Sequence, residues 1–431
     1  MSQEETSKFD TLDVGCGIKP KGDVNVDFFG LGYNPQTGNQ VQGDYMAPKK
    51  IRNFVIADAS HLPFKDESFN VVLSWHTIEH VQNPFLMFKE LCRVAKRKVI
   101  VRCPHKEGSG AVMPYHINFF DETWFKKASE AVGLPNRQFI TIFDYPITAK
   151  LEKTILHVAR KTLPWRALKR FERQKLMKKI HIPWEIEAWV KKQTFPADNG
   201  KTKYVVVYNT PRIYKNAFCS SPYISKADVI AYFNENHEPL PRFYNKTVKQ
   251  HLNENVWFVF CHQDFILNEN LQERLKGKDT ETVYGPIGRI AADTLTGSVT
   301  QTDGTIIGRQ LDEDSPVQTL DEMCLIAHAR VFRQGLAFDE QFAFHFYGAD
   351  FCMQAYRSGY DVLAMQLKCH HKSRTIHGDL TSPEYLASRE LLREKWKQFL
   401  PIRTTTTILE QKQPPFKEAL RKSRSDAGFR R

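Results

Sequence analysis

Thr11-Leu12-Asp13-Val14-Gly15-Cys16-Gly17 decides how the N-terminal half of this chain folds. A run of strand character enters a turn with two glycines. Glycine has no Cβ, so the backbone can pass close to a ligand and aim amides at it. Working outward, Val24–Val26, Phe54–Ile56, Val71–Ser74, Val99–Arg102 and Phe139–Phe143 are further apolar runs of strand length. Between them, Pro84–Val94 places Phe85, Phe88, Leu91 and Cys92 at helical spacing, and Asp121–Val132 opens on an Asp suited to an N-cap. This alternation predicts an α/β fold built on a doubly wound parallel sheet. Only nine residues separate Val14 from Val24, too few for a usual crossover helix, so the first crossover is expected to be truncated or irregular.

Acidic residues close the first strands. Asp27 ends Val24-Asn25-Val26-Asp27, where a carboxylate binds ribose hydroxyls, and Asp58 follows the third strand in Ile56-Ala57-Asp58-Ala59. Next come Leu62-Pro63-Phe64-Lys65-Asp66-Glu67-Ser68-Phe69 and then His76-Thr77-Ile78-Glu79-His80. In that order the set resembles a class I S-adenosylmethionine-dependent methyltransferase, a Rossmann-like fold, over roughly residues 9–145. The resemblance implies that Asp13 belongs to the cofactor site. It also implies that Gly15 and Gly17 line the methionyl part, Asp27 binds the ribose, and Asp58 with Ala59 flanks the adenine. His76, Glu79 and His80 after the fourth strand, and His105 and His116 after the fifth, are candidates for the acceptor side. His76 and His80 are the expected catalytic groups, since a hydroxyl acceptor needs a general base and histidine titrates near neutrality. The alternative role for Glu79 and His80 is to cap and orient a helix.

The second half carries a different pattern. Trp257-Phe258-Val259-Phe260-Cys261-His262-Gln263-Asp264 reads as a buried strand that delivers a carboxylate at its end. Arg242-Phe243-Tyr244-Asn245 lies upstream, and Tyr284-Gly285-Pro286-Ile287-Gly288, Leu320-Asp321-Glu322, Gly348-Ala349-Asp350 and His370-His371-Lys372 follow. Together these resemble a family 2 glycosyltransferase of the GT-A type, in its streptomycin-biosynthesis-like branch, over roughly residues 203–375. The resemblance implies a nucleotide-sugar donor and a divalent cation, manganese or magnesium, held by Asp264 and by His371 or its neighbour His370. It makes Asp350 the base that activates the acceptor; a helix-capping role for Asp350 stays open. Asn234 and Asn245 are candidates for the nucleotide, and Arg289 and Lys372 for the diphosphate should no metal be used.

At 431 residues the chain is too long for one ordinary core. The expected layout is a methyltransferase domain at 1–149, a basic helical connection at 150–201, a glycosyltransferase-like domain at 202–400 and a basic, poorly ordered tail at 401–431. Tyr204–Tyr208 fits either the first domain's last strand or the second domain's first. Between Lys150 and Lys203 fifteen Lys/Arg stand against five Asp/Glu, or +10 of the net +12. Concentrated charge of this kind suits an anionic partner, here a membrane face carrying a lipid-linked glycan acceptor; a solvated interdomain strut is the alternative. No nucleic-acid motif is visible, so no nucleic-acid partner is expected. Eight dispersed cysteines form no close pair and argue for a reduced, cytoplasmic setting, with peripheral contact at the inner membrane face. The sequence thus suggests a bifunctional enzyme that transfers a sugar and O-methylates a glycan in surface polysaccharide synthesis. The alternative is a methyltransferase with a degenerate, glycan-binding second half.

Overall fold

The computed structural model describes residues 10–17, 20–28, 33–34, 39–40, 51–108, 116–134, 137–143, 183–290, 295–372 and 380–410. Their contacts divide into two compact units. One holds the residues up to Gly200 together with Gln272–Val283 and Gln354–Val362; the other holds Lys201–Leu271, Tyr284–Met353 and the residues from Leu363.

The first unit is built on β1 (Thr11–Val14), β2 (Val24–Asp27), β3 (Phe54–Ile56), β4 (Phe69–Trp75), β5 (Ala95–Pro104), β6 (Arg137–Phe143) and β7 (Pro183–Lys191). They pair in the order β3-β2-β1-β4-β5-β7-β6. The first five are mutually parallel, and β7 runs antiparallel to both its neighbours. Leu12, Val14, Val72, Val99 and Val101 are fully buried, as strands covered on both faces must be. Against them packs α1 (Pro84–Val94), which starts where Pro84 presets the backbone and the Asn83 side chain accepts from the Leu86 amide at 3.0 Å. Its Met87, Phe88 and Leu91 are at 0% exposure, each worth about 1.5–3 kcal/mol of burial. The expected Asp121 cap of α2 (Glu122–Ala131) is present, accepting from the Trp124 amide at 2.8 Å. As expected from the short spacing, no helix lies between β1 and β2 among the described residues.

One expectation is corrected here. The stretch read as basic helices contains β7, a strand with Ile186, Ala188 and Val190 buried on one face. Its charged residues made it look like a solvated segment, yet Glu187 is 3% exposed and accepts from Arg102 Nε at 2.7 Å. Ion pairing inside the fold had disguised a core strand as a polar one. The rest of the expected basic helical connection up to residue 182 lies outside the described residues.

The second unit begins with β8 (Thr202–Tyr208), which settles Tyr204–Tyr208 as its first strand. β8 runs parallel to β9 (Val229–Phe233) and to β10 (Trp257–Cys261). With β11 (Phe265–Leu267), β12 (Thr282–Gly285), β13 (Leu295–Gln301), β14 (Ser315–Pro316), β15 (Cys324–His328), β16 (Asp361–Ala364) and β17 (Cys369–His371), two sheets form. One has the order β9-β8-β10-β15-β12-β16-β14, and the other sets β11, β17 and β13 side by side. Glu322–Val331 reads as a helix in sequence, yet its centre is β15, antiparallel to β10 and buried at every residue. A short apolar run has no periodicity that separates the two forms. Thr404–Thr407, expected to be poorly ordered, is a hairpin turn closed by a 2.8 Å bond from the Thr404 amide to the Thr407 carbonyl. Residues 411–431 of the basic tail lie outside the described residues.

Candidate functional site

The glycine turn leaves β1 at Gly15 (φ +76°) and Gly17 (φ +51°), both left-handed. Its amides are already committed: Gly15 and Cys16 donate to the Val26 carbonyl at 2.8 and 3.1 Å, and Gly17 donates to Asp27 Oδ2 at 2.9 Å. The expectation that these amides aim at a ligand is therefore corrected; they weld the turn to β2. The two glycines divide the work. A Cβ on Gly15 would lie 1.9 Å from Thr77 Oγ1, so this glycine permits close packing, whereas a Cβ on Gly17 would meet nothing within 4 Å. Asp13 is 1% exposed; Oδ2 accepts from the Lys21 amide at 2.8 Å, and Oδ1 has no hydrogen-bond partner. An orphaned, buried carboxylate oxygen on the strand that feeds this turn fits a cationic group such as the methionyl end of S-adenosylmethionine.

Burial pushes the Asp13 carboxyl up to about 6, against the opposing pull of Lys21. Because that lies above the unfolded value, the folded state holds the proton more tightly, and ionisation weakens folding as pH rises through about 4 to 6. Asp13→Asn is expected to stabilise the ligand-free protein at pH 7.5 by up to about 3 kcal/mol and to remove this pH dependence. Urea unfolding at pH 4.5 and 7.5 measures it.

Asp58 stands at the start of the loop after β3, half of its side chain exposed, with Oδ1 accepting from the Ser60 amide at 2.8 Å. Ala59 beside it is partly buried. The following Leu-Pro-Phe run is held by Arg93, which donates to the Phe64 and Leu62 carbonyls and pairs with Asp66 at 2.8 Å. That motif is therefore a clasp that fixes the loop after β3.

His76 follows β4 in a left-handed conformation (φ +54°), unusual for a residue with a Cβ. Its Nε2 lies 3.1 Å from Glu185 on β7, and its Nδ1 lies 3.5 Å from Glu79. Burial favours the neutral ring, but the two carboxylates outweigh it and hold His76 up to about 9. At neutral pH it is a donor, which corrects its reading as a ready general base. Glu185 was not singled out in the sequence because it lies in the misread strand. His80 and His116 come together, ring centroids 4.8 Å apart, whereas His105 is buried apart against Glu122.

The order and direction of strands β1 to β7, with acidic residues at or near the ends of three successive parallel strands, now stand beside a direct match. A family model described as a methyltransferase domain matches residues 12–103. Those residues are a class I methyltransferase domain. The chain is 32% identical over 133 residues to tocopherol O-methyltransferase of Arabidopsis thaliana, a stretch covering 28% of this chain and 38% of that enzyme. It is 35% identical over 94 residues to ajmaline N-methyltransferase of Rauvolfia serpentina, covering 20% and 31%. The chain thus spans about a third of the length of these curated relatives. A solved S-adenosylmethionine-dependent methyltransferase from Archaeoglobus fulgidus aligns at 16% identity and a TM-score of 0.28, over 43% of this chain and 86% of its own.

Outside the methyltransferase domain, a second site lies at the carboxyl ends of the parallel strands β8, β9 and β10. A pocket of about 210 Å³ there is lined by Tyr208, Asn209, Asn234, His237, His262 and Asp264, among others. His237 has a φ of +52°, a second strained residue at a site. Antiparallel pairing of β11 with β17 sets Phe265 opposite His371, bringing His371 Nε2 to 3.3 Å from Asp264 Oδ1. His262, Asp264 and His371 each offer an atom within 4.8 Å of the others, so His262 joins the two residues expected from sequence. His371 holds Asp264 below the usual carboxylate range despite burial, while burial holds His262 down as a neutral imidazole. Asp264 in turn raises His371, so a cation would have to displace the proton that these two share. His370 turns away to Asn268 at 2.8 Å. Gln263 accepts from the Asn209 and Thr210 amides, which gives it a loop-holding part.

The other expected residues are placed elsewhere. Asn245 clamps Phe338 through its backbone, and Lys372 donates to the Asn216 carbonyl. Arg289 donates to the Thr404 carbonyl. Asp350, expected as the base, sits in the first turn of a helix (Tyr347–Arg357) at 0% exposure. Its oxygens accept from Trp396 Nε1 at 2.7 Å and Lys395 Nζ at 2.9 Å, so it anchors the end of the helix Pro383–Lys395. A base must reach its acceptor, and this carboxylate does not. Asp350→Asn is accordingly expected to lower stability by about 1–3 kcal/mol, from the mismatched lysine and indole. A melting shift, rather than a selective loss of turnover, is the measured sign.

Proposed function

We propose that this protein methylates a glycan hydroxyl with S-adenosylmethionine, and that its second unit binds a nucleotide-sugar through a divalent cation and transfers the sugar. For methylation, the observation that carries the reading is the matched domain with Asp13, Asp27 and Asp58 at successive strand ends. For the second unit it is the triad His262, Asp264 and His371, set beside a pocket at the carboxyl ends of parallel strands. Open α/β sheets bind ligands at that edge, and a cation there would neutralise a diphosphate.

The burial of Asp350 favours a second reading, in which the second unit binds a glycan or nucleotide-sugar without turning it over. One experiment separates the two. Full-length protein, stripped with EDTA and resupplied with Mn²⁺, is incubated with UDP-, GDP- and dTDP-sugars, and released nucleotide is measured. Cation-dependent release that Asp264→Ala abolishes supports transfer; binding without release supports the module; neither removes the nucleotide-sugar assignment. S-adenosylmethionine calorimetry on the same protein tests the methyltransferase reading.

No helix among the described residues is long and apolar enough to cross a membrane. The proposed contact with an anionic membrane therefore rests on the basic residues of 150–203 other than those, such as Lys191, that are paired inside the fold, each engaged Lys or Arg contributing about 1 kcal/mol. Co-sedimentation with phosphatidylserine vesicles, lost at high salt and absent with neutral vesicles, is the expected result.

A further inference from the structure

We propose that Glu79, His80 and His116 form a divalent-cation site next to the cofactor turn of the methyltransferase domain. The inference rests on the methyltransferase reading and adds a metal to it. Glu79 is the starting point: its side chain is 1% exposed, and neither carboxylate oxygen receives a hydrogen bond. A buried carboxylate is costly unless a cation or donors meet it. His76 Nδ1 meets this carboxylate as a charge at 3.5 Å, while His80 Nε2 stands off at 4.0 Å.

The geometry around Glu79 is that of a prepared ligand set. Glu79, His80 and His116 each present one ligand atom, all within 4.8 Å of one another. First-row cations bind nitrogen and oxygen at about 2.0–2.2 Å, so small side-chain rotations would close the set. The backbone fixes the two distant segments together. The amides of Ile117 and Asn118 both donate to the Glu79 carbonyl, and Asn118 Nδ2 donates to the Val81 carbonyl at 2.6 Å. Two imidazoles and one carboxylate select zinc, cobalt or manganese over magnesium or calcium. Three protein ligands leave a position open for an oxygen of the acceptor.

Location gives the site its use. Thr77, two residues before Glu79, is the residue against which Gly15 packs. A cation on Glu79 therefore lies one short turn from the cofactor loop. An acceptor hydroxyl bound to it would lose its proton to water at lower pH, as metal-bound oxygens do. The oxygen lone pair then forms the new O–C bond to the methyl carbon as the C–S bond breaks, its electron pair staying on sulfur as a neutral thioether. The substrate class implied is a hydroxyl acceptor able to ligate metal, such as a vicinal diol.

The test uses full-length Asp264→Ala/His371→Ala protein, so that this triad is the cation candidate under study, stripped with EDTA and titrated with Co²⁺. Visible absorbance and calorimetry are expected to show one equivalent bound with imidazole ligation. Glu79→Gln and His116→Gln, two independent changes, are each expected to weaken binding at least about tenfold, or 1.4 kcal/mol. Unchanged cobalt affinity in both variants, or no cobalt uptake by the parent, would overturn the site. S-adenosylmethionine titrations of the same proteins read the underlying assignment separately, so the two ideas fail independently.

Discussion

Gly15→Ala is expected to lower S-adenosylmethionine affinity by at least about 100-fold, or 2.7 kcal/mol, and to lower the melting temperature. Two physical causes add. The residue sits at φ +76°, where a side chain costs about 1–2 kcal/mol. The new Cβ would also lie 1.9 Å from Thr77 Oγ1 and 2.5 Å from its Cγ2, too close for either to stay. Thr77 leads directly into Ile78–His80, so displacing it disturbs both sides of the candidate site. Adding Thr77→Gly removes the clash but leaves the backbone strain, and is expected to restore about tenfold of the affinity. Gly17→Ala provides the contrast, because its Cβ would enter open space. That variant is expected to lose only the backbone term of about 1–2 kcal/mol, less than Gly15→Ala, and still bind the cofactor poorly, since the space it fills is where the ligand would lie. Wild-type affinity in both alanine variants would remove the turn from the cofactor site.

Asp361→Asn is expected to cost about 3–5 kcal/mol of stability, the usual consequence of stranding a buried charge. Lys98 is fully buried in the first unit, with its Nζ 2.5 Å from Asp361 Oδ1 and 4.1 Å from the centre of the Trp189 ring. Asp361 also meets Lys191 at 3.2 Å, and Lys191 keeps Asp279 at 2.7 Å. Removing the Asp361 charge therefore leaves Lys191 paired and Lys98 with the neutral Tyr360 carbonyl at 3.4 Å. Lys98→Met is expected to cost less, because a methionine fills the space and Asp361 retains Lys191. Burial already depresses the Lys98 ammonium below its ordinary value against the pull of Asp361. In Asp361→Asn that depression deepens, the folded state binds fewer protons than the unfolded, and stability rises with pH. Urea titrations at pH 6 and 9 are expected to show the larger deficit at pH 6. Equal losses for the two variants would point to packing rather than charge.

The chemistry of the first domain was legible early because its signals are local. A glycine turn, acidic strand ends and an Asp cap each depend on a few adjacent residues, and β1 to β5 with α1 and α2 follow from them. The same locality explains the errors. Pro183–Lys191 reads as polar because Glu187 and Lys191 find their partners far away along the chain. Asp350 reads as a base because its spacing fits, while its partners Lys395 and Trp396 lie more than forty residues later.

By itself, then, the sequence determined the α/β alternation, the truncated first crossover, the methyltransferase resemblance of the first domain, and the pairing of Asp264 with His371 as a candidate. Only the tertiary structure decided which charged groups face a site and which are consumed inside the fold. It turned the glycine-turn amides onto β2, put Glu185 against His76, added His262 to the second triad and gathered His80 and His116 around the buried Glu79. The physical reason is that charge state and accessibility belong to a residue's surroundings, and those surroundings are assembled from strands the chain brings together only on folding.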